Sequence, residues 1–325
     1  MYNSPTPPAA FPFHHVAFYL LTFASGLFIS GCSPQPAPPV VDGGRAMGYV
    51  TEFVAIGPRP SGSANARKAA AWIAQSARQL GYTPSTDSWT DWTPEGPKEF
   101  RNVEIVLPGA PGQGFIILAS HYDTKKMADG PPFIGANDSG SSTGLLLELL
   151  RTLSTSNTTF DIHHSPFSGA GPELRFLFFD GEECIESYRP GDGLQGSRHY
   201  AAKLAKAATA KDCRAMILLD MVGDRNFNLT ISADTDAELA KNLFRIAKRR
   251  GVSRQVAVYA KSAGILDDHT PFQQLGIPCI DLIDFDYGPD MAWWHTQEDT
   301  LDKLAPTSLQ TAGTLALDLL WEVAR

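Results

Sequence analysis

Cysteine is scarce in this sequence. Its four copies, Cys32, Cys184, Cys213 and Cys279, lie far apart with no CxxC pair. That spacing indicates neither a disulfide framework nor a thiolate zinc site. Clustered basic charge is also missing: the net charge is -8 and the pI is near 5.5. Nucleic acid is therefore not an expected partner, because phosphate binding needs grouped Lys and Arg. The basic run Lys248, Arg249, Arg250 has the look of a helix C-terminus. What the chain does have is 43% apolar and 19% charged residues over 325 positions. This is the composition of an ordinary globular protein with ample length for a buried core, organised as one large domain or at most two.

Residues 16–29 (VAFYLLTFASGLFI) have about the length of a signal-peptide core and are too short for a comfortable membrane span. They end on Ile29, Ser30 and Gly31, directly before Cys32. Small residues at that place resemble a bacterial lipoprotein cleavage site, which would leave Cys32 as a lipidated N-terminus. His14 and His15 stand where Lys or Arg is usual, and an uncleaved anchor is the alternative. Residues 33–39 (SPQPAPP) are too proline-rich to pack a core. The expected organisation is a signal peptide over 1–32, a tether over 33–41 and a single α/β domain over 42–325. The expected location is exported and membrane-anchored, facing the periplasm or the exterior.

Helical spacing of Ala66, Ala70, Ile73, Ala77 and Leu80 predicts a helix over 64–80, with Ser61 or Ser63 as cap and Gly81 as stop. Further helices are predicted at 145–153, capped by Asp138 or Ser139, at 194–206, and at 237–250 before Gly251. A short one has Thr270 as cap and Pro271 as first residue, and Pro306 opens the last. Strands are predicted at 102–107, 114–120, 215–221 and 278–284, and in the apolar run that starts at Phe176. Residues 89–98 read as turn-rich, and 157–172 carry no persuasive pattern. The alternation predicts a three-layer α/β/α fold around a mixed, largely parallel sheet. Such sheets place ligands at the carboxyl ends of their strands.

Chemistry concentrates there. Residues 176–183 (FLFFDGEE) read as a buried strand that turns at Gly181 and carries Asp180, Glu182 and Glu183. Adjacent side chains leaving a turn diverge, so one glutamate can bind a metal while its neighbour acts as a base. His121, Asp123 and Asp220 fall at other strand ends, and Asp267, Asp268 and His295 lie in loops that reach the same edge. If Asp138, Glu182, Glu183, Asp220, Asp267 and Asp268 converge, each like-charged pair costs about 4 kcal/mol at ~4 Å in an effective dielectric of ~20. Something positive must sit among them. Arg225 and Lys261 are the only basic residues near these loops in sequence, whereas His121 and His295 offer neutral nitrogens. A nitrogen and oxygen donor set without sulfur fits a catalytic zinc.

The motifs GANDSG (135–140), FFDGEE (178–183), LLDMVG (218–223), DDHTPF (267–272) and WWHT (293–296), with GPRPSGS at 57–63, resemble the zinc-dependent exopeptidase superfamily. Within it they are most similar to glutaminyl-peptide cyclotransferases, over a stretch from about Met47 to the C-terminus. The resemblance implies a zinc exopeptidase-like fold acting on peptide or protein N-termini, expected as a monomer. In the two-metal aminopeptidases of the superfamily, the ligands map onto His121, Asp138 as bridge, Glu183, Asp220 and His295, with Glu182 as base. In the cyclases a single zinc is held by Asp138, Glu183 and His295. Glu182, Asp220 and Asp267 are then catalytic, and Trp294 and Tyr188 contact substrate. The ligand inventory is common to both, but the surroundings of DDHTPF, GLQGSRHYA and Trp294 favour the cyclase. Two departures touch the pocket: Tyr188 stands where tryptophan is expected, and the loop 285–293 is longer. Two rival classes are weaker. Residues 140–144 spell GxSxG, but the serine-hydrolase elbow needs a strand directly before it. A non-catalytic surface lipoprotein would be expected to have lost ligands, and none is missing.

Overall fold

The structure is a computed structural model, described here for residues 1–4, 40–127, 133–159, 170–260 and 264–325. The chain divides into two compact units, Met1–Gln35 and Pro36–Arg325, and every element below belongs to the second. Residues 16–32, on which the expected signal peptide and lipidation site at Cys32 fall, lie outside the described residues.

In chain order the elements are α1 (Gly43–Val54), α2 (Ala64–Gln79), β1 (Ser85–Thr93), β2 (Gly96–Leu107), β3 (Phe115–His121), α3 (Ser142–Thr159), β4 (Glu173–Phe179) and α4 (Gln195–Lys206). They continue with β5 (Cys213–Asp220), β6 (Leu229–Ile231), α5 (Ala237–Arg250), β7 (Val256–Val258), α6 (Thr270–Gln273), β8 (Cys279–Ile283) and α7 (Pro306–Ala324). The eight strands form one sheet in the order β1-β2-β4-β3-β5-β8-β6-β7. Its centre, β4-β3-β5-β8, is parallel, while β2 pairs antiparallel with β1 and β4, and β6 antiparallel with β8.

Alternate residues of the central strands face opposite layers, as strand pleating requires. Ile116 and Leu118 of β3, with Ile217 and Leu219 of β5, join a core shared with α1, α2, α3, α5 and α7. Phe115, Ile117 and Ala119 of β3, with Met216 and Leu218 of β5, instead meet Tyr200 and Leu204 of α4 and Phe272 of α6. Both faces are covered, which is why these strands read as continuous apolar runs. Each fully buried large side chain contributes about 1.5–3 kcal/mol.

Several local expectations are corrected. Ser63 caps α2 by accepting the Ala66 N–H at 3.0 Å, while Ser61 serves the site described below. Residues 89–98 are not turn-rich but lie mostly in the two strands of a β-hairpin, in which β1 pairs with β2 from Ser85 to Thr93. Its hydrophobic period is weak because most of β1 is exposed, and Trp89 holds it by stacking on Phe100 and His199, at centroid distances of 5.7 and 3.9 Å. Helix α3 begins at Ser142, and neither Asp138 nor Ser139 caps it, because Asp138 turns into the site and the Ser139 hydroxyl donates to the Asp123 carbonyl. His269 takes the capping place of α6, so Pro271 is its second residue. Strands β6 and β7 are only three residues long, too short to leave a periodic signal. The run Lys248 to Arg250 does end a helix, where Arg249 and Arg250 both pair with Asp318 of α7.

Candidate metal centre and active site

The carboxyl ends of the parallel strands meet at one edge of the sheet. Strand β3 ends on His121 and β5 on Asp220, and β4 runs into Asp180. Gly181 then reverses the chain at φ +74°, where a Cβ would lie 2.7 Å from the Phe100 ring. Only glycine fits this turn, and it delivers Glu182 and Glu183 to the edge. The irregular turn 136–141 brings in Asp138. The loop after β8 brings Trp294 and His295, the latter held at φ +52°, a region that costs a non-glycine residue about 1 kcal/mol or more.

Two donor triads share Asp138. His295 Nε2 lies 3.2 Å from Asp138 Oδ2 and 3.1 Å from Glu183 Oε1. His121 Nε2 lies 3.2 Å from both Asp138 Oδ1 and Asp220 Oδ1. A tetrahedral zinc with ligands at ~2.0–2.1 Å sets its donors about 3.3 Å apart, so both triads have spacings that fit the ion. Within each triad all donor atoms lie within 4.8 Å of one another. They differ in access. His121, Asp138 and Asp220 are all buried, whereas His295 is partly open.

Charge follows from this packing. Burial alone would lower the His295 pKa, but the Glu183 charge and the Asp138 hydrogen bond outweigh it and push it up to about 10. Burial likewise opposes a proton on His121, yet Asp123, Asp138 and Asp220 hold it well above its ordinary value. Desolvation would raise Asp138, but its two histidine partners pull it below the usual carboxylate range.

A layer of residues behind the ligands fixes their backbones. Asp123 accepts the N–H of Glu182 at 3.1 Å on one oxygen and that of Glu183 at 3.3 Å on the other. Asp299 does the same for Asn137 at 2.7 Å and Asp138 at 3.1 Å, and receives the Tyr287 hydroxyl at 2.6 Å. The Ser61 hydroxyl lies 2.8 Å from Asp180 Oδ1 and 3.2 Å from Asp123 Oδ2, within reach of both carboxylates. Arg59 is fully buried and braces the loop before Asp138, donating to the carbonyls of Gly57, Tyr122, Ile134 and Gly135. Lys125 Nζ reaches Glu183 Oε2 at 3.3 Å and the Cys184 carbonyl at 2.9 Å.

These contacts correct one expectation. The basic partners of the acidic loops are Arg59 and Lys125, distant in sequence from most of the carboxylates. Arg225 instead turns to Asp302 and Lys303, and Lys261 lies outside the described residues.

A cavity of about 220 Å³ opens on this edge, lined by Asp138, Glu182, Tyr188, Asp220, Asp267, Trp294 and His295, with Tyr259, Ile265, Leu266 and Phe285 completing an apolar wall. Trp294 stacks on His295 at a centroid distance of 4.1 Å, and Phe285 packs against Trp294 at 5.4 Å. The Tyr188 hydroxyl donates to Glu182 Oε1 at 2.9 Å. Burial pushes the Glu182 carboxyl well above its ordinary value, with His121 opposing and Glu183, Asp267 and Asp268 adding to the rise. Burial also raises Asp220 to about 7 and Asp267 to about 6. Behind Asp267, the carboxylates of Asp268 and Asp281 and both ring nitrogens of His269 have no hydrogen-bond partner among the described residues. Desolvation and mutual repulsion push Asp268 and Asp281 well above the usual carboxylate range, while burial lowers His269 to about 4.

Of the residues singled out from the sequence, Asp138, Glu182, Glu183, Asp220, Asp267, His121, His295, Trp294 and Tyr188 line the cavity or belong to its two donor triads, whereas Asp268 is buried behind Asp267. The GxSxG serine is not a nucleophile elbow. Ser142 is buried, hydrogen-bonds to Ser120 and the Ser139 carbonyl, and follows a turn instead of a strand. Asp299, Lys125, Arg59 and Tyr287 were not foreseen as site residues. Arg59 lies inside the GPRPSGS motif and Asp299 follows WWHT by three positions, so their motifs offered the available signal.

Residues 102–320 match the family described as Peptidase family M28. The chain is 30% identical over 277 residues to the glutaminyl-peptide cyclotransferase-like protein of Mus musculus, covering 79% of this chain and 70% of that protein. A glutaminyl cyclase from an Acidobacteriales bacterium superposes with a TM-score of 0.79 at 36% identity, covering 89% of this chain and 97% of the other. A Zn-dependent exopeptidase from Parabacteroides distasonis shares the fold, with a TM-score of 0.73 at 24% identity, covering 88% of this chain and 99% of the other.

Proposed function

The chain belongs to peptidase family M28, and from that premise we propose that it is a zinc-dependent glutaminyl-peptide cyclotransferase, converting N-terminal glutamine of peptides to pyroglutamate with release of ammonia. The observation that carries the reading is the cavity that Asp138, His295, Glu182, Asp220 and Trp294 line together, in a chain whose named relatives include glutaminyl cyclases. We assign the working metal position to Asp138, Glu183 and His295, the triad that carries the partly open His295. Zinc bound there supplies a Lewis acid toward the side-chain amide carbonyl of the substrate.

The protein's own residues do the rest. Trp294 and Phe285 offer flat apolar faces that hold the glutaminyl chain and keep water away. The substrate's α-amine is both near its own side-chain carbonyl and confined, so proximity replaces a bimolecular encounter. Glu182 accepts the proton from the attacking amine and delivers it to the departing ammonia. Asp220 and Asp267 form the acidic network beside it. We assign one zinc to the working site because cyclisation needs no metal-activated water. An aminopeptidase would use the His121, Asp138 and Asp220 triad as a second site; its geometry is compatible, but the named relatives favour the cyclase.

The domain is assigned to residues 42–325, acting as a monomer on exported peptides or proteins and tethered to a membrane through lipidated Cys32. The reading is tested by supplying Gln-peptides and Leu-amides to the purified protein. Ammonia and pyroglutamyl product from the former, with little hydrolysis of the latter and about one zinc per chain, are the expected outcome. Rapid Leu-amide hydrolysis with two metals bound would overturn it.

A further inference from the structure

The tyrosine at 188 departs from the tryptophan its motif led us to expect, and the structure gives the departure a use that a pocket wall does not need. The Tyr188 hydroxyl donates to Glu182 Oε1 at 2.9 Å. Glu182 Oε2 has no hydrogen-bond partner among the described residues, and the residue lines the cavity. The backbone on either side of this contact is independently fixed. Asp123 holds the Glu182 N–H, and the Glu182 carbonyl accepts the Leu194 N–H at 2.9 Å. On the tyrosine side, the Asp192 carboxylate gathers the N–H groups of Ile185, Glu186 and Ser187 at 2.5 to 2.9 Å, shaping the loop that presents the ring. Gly193, at φ +80°, lets the ring lie flat: a Cβ there would come within 2.6 Å of Tyr188 Cδ1. So much local ordering for one phenol argues for a defined place of its oxygen.

We infer that Tyr188 is a positioning residue for the general base, its hydroxyl fixing Glu182 Oε1 so that Oε2 alone faces the reacting nitrogen. The inference rests on the reading of Glu182 as base. In each turnover the proton leaves the substrate amine for Oε2 and passes from Oε2 to the nitrogen that departs as ammonia. The phenolic proton stays on Tyr188 throughout. A carboxylate pinned by one oxygen cannot rotate its second away from the amine, and a charge-assisted hydrogen bond is among the stronger restraints a side chain can supply.

A double-mutant cycle tests this. Tyr188→Phe removes one oxygen and keeps the ring, so zinc content and KM should stay unchanged while kcat falls about 10-fold or more. In the Glu182→Gln background the same substitution should cost nothing further, because the group it positions is gone. Tyr188→Trp, a flat wall without the phenol, should fall with the Phe variant. Wild-type kcat in either variant, a change confined to KM, or an equal loss with and without Glu182 would each reduce Tyr188 to a wall and overturn the inference. If the wild type proves to hydrolyse amides, the cyclase reading fails separately, and the same cycle on that reaction still decides whether Tyr188 acts through Glu182.

Discussion

One carboxylate, Asp123, holds Glu182 by its backbone N–H at 3.1 Å with Oδ1 while Oδ2 holds the next residue at 3.3 Å. The two glutamates are thereby aimed by a residue that touches neither the cavity nor the proposed zinc. Their opposite roles depend on it, since a turn with free N–H groups could rotate both side chains together.

Asp123→Asn is therefore informative. An amide offers a single accepting oxygen, so one of the two N–H groups loses its partner, at a cost of about 1–3 kcal/mol for a buried unsatisfied group. The expected result is a lower melting temperature, retained zinc and turnover reduced about 10-fold. Wild-type stability and turnover together would show that the turn holds itself.

The neighbouring glutamates separate by metal content. Glu183→Gln should lose zinc and activity together, because the amide replaces a ligand that sits 3.1 Å from His295 Nε2. Glu182→Gln should keep zinc and lose about 100-fold or more in turnover, the scale of a general base. The reverse pattern would exchange the two assignments.

Removing the metal should make stability depend on pH with a definite sign. Burial, reinforced by Asp123, raises Asp180 to about 7, and burial raises Asp299 to about 7. His295, against the effect of its own burial, is held at about 10 by Glu183 and Asp138. All three bind protons more tightly folded than unfolded. Their contribution is complete below the unfolded values of 3.8 for the carboxyls and 6.5 for the histidine, and is lost as pH rises through about 7 and about 10. The chelated protein should thus melt higher at about pH 5 than at about pH 9, whereas added zinc should restore stability at the alkaline end by replacing the proton on His295. A chelated protein that grows more stable with rising pH would contradict this charge arrangement.

How much of this was legible beforehand depended on whether a residue's role was local. Strands β3, β4, β5 and β8 showed themselves because burial on both faces leaves unbroken apolar runs, and α5 because its apolar face and closing Gly251 are contiguous. Ligands such as Asp138, Glu183 and His295 were legible because each sits inside a short motif at a strand end or loop. Strand β1 was not, since its order comes from Trp89 meeting His199, a residue 110 positions away (199 minus 89). Arg59 and Lys125 were missed for the same reason: charge balance is settled in space, and their carboxylate neighbours come from other elements. The Asp138 cap was misread because a carboxylate before a helix can either accept its N–H groups or turn toward a histidine, and sequence does not distinguish the two.

Export and anchoring rest on residues 16–32 alone. Cys32→Ala should abolish fatty-acid labelling and membrane partitioning while the soluble domain keeps its activity, because the proposed catalytic residues all lie beyond residue 42. Unchanged labelling would remove the lipoprotein assignment. Among the described residues Cys184, Cys213 and Cys279 are free and buried.

Asp267 decides most sharply which chemistry the site runs. It lines the cavity without belonging to either triad that includes Asp138, and its Oδ1 accepts the Asp268 N–H at 2.5 Å while Oδ2 has no partner among the described residues. Burial raises its carboxyl to about 6, opposed by His121 and reinforced by Asp138 and Glu183, so it can hold or release a proton near neutral pH. A cyclisation must take a proton from one nitrogen and return it to another within the same substrate. A carboxyl able to exchange protons beside Glu182 serves that transfer. Asp267→Asn keeps the shape and removes the exchange. Pyroglutamate formation should fall about 10-fold or more while zinc content stays at its wild-type value. If the variant loses zinc, Asp267 supports the metal instead. If it retains both zinc and turnover, the acidic network ends at Asp220, and Glu182 works without it.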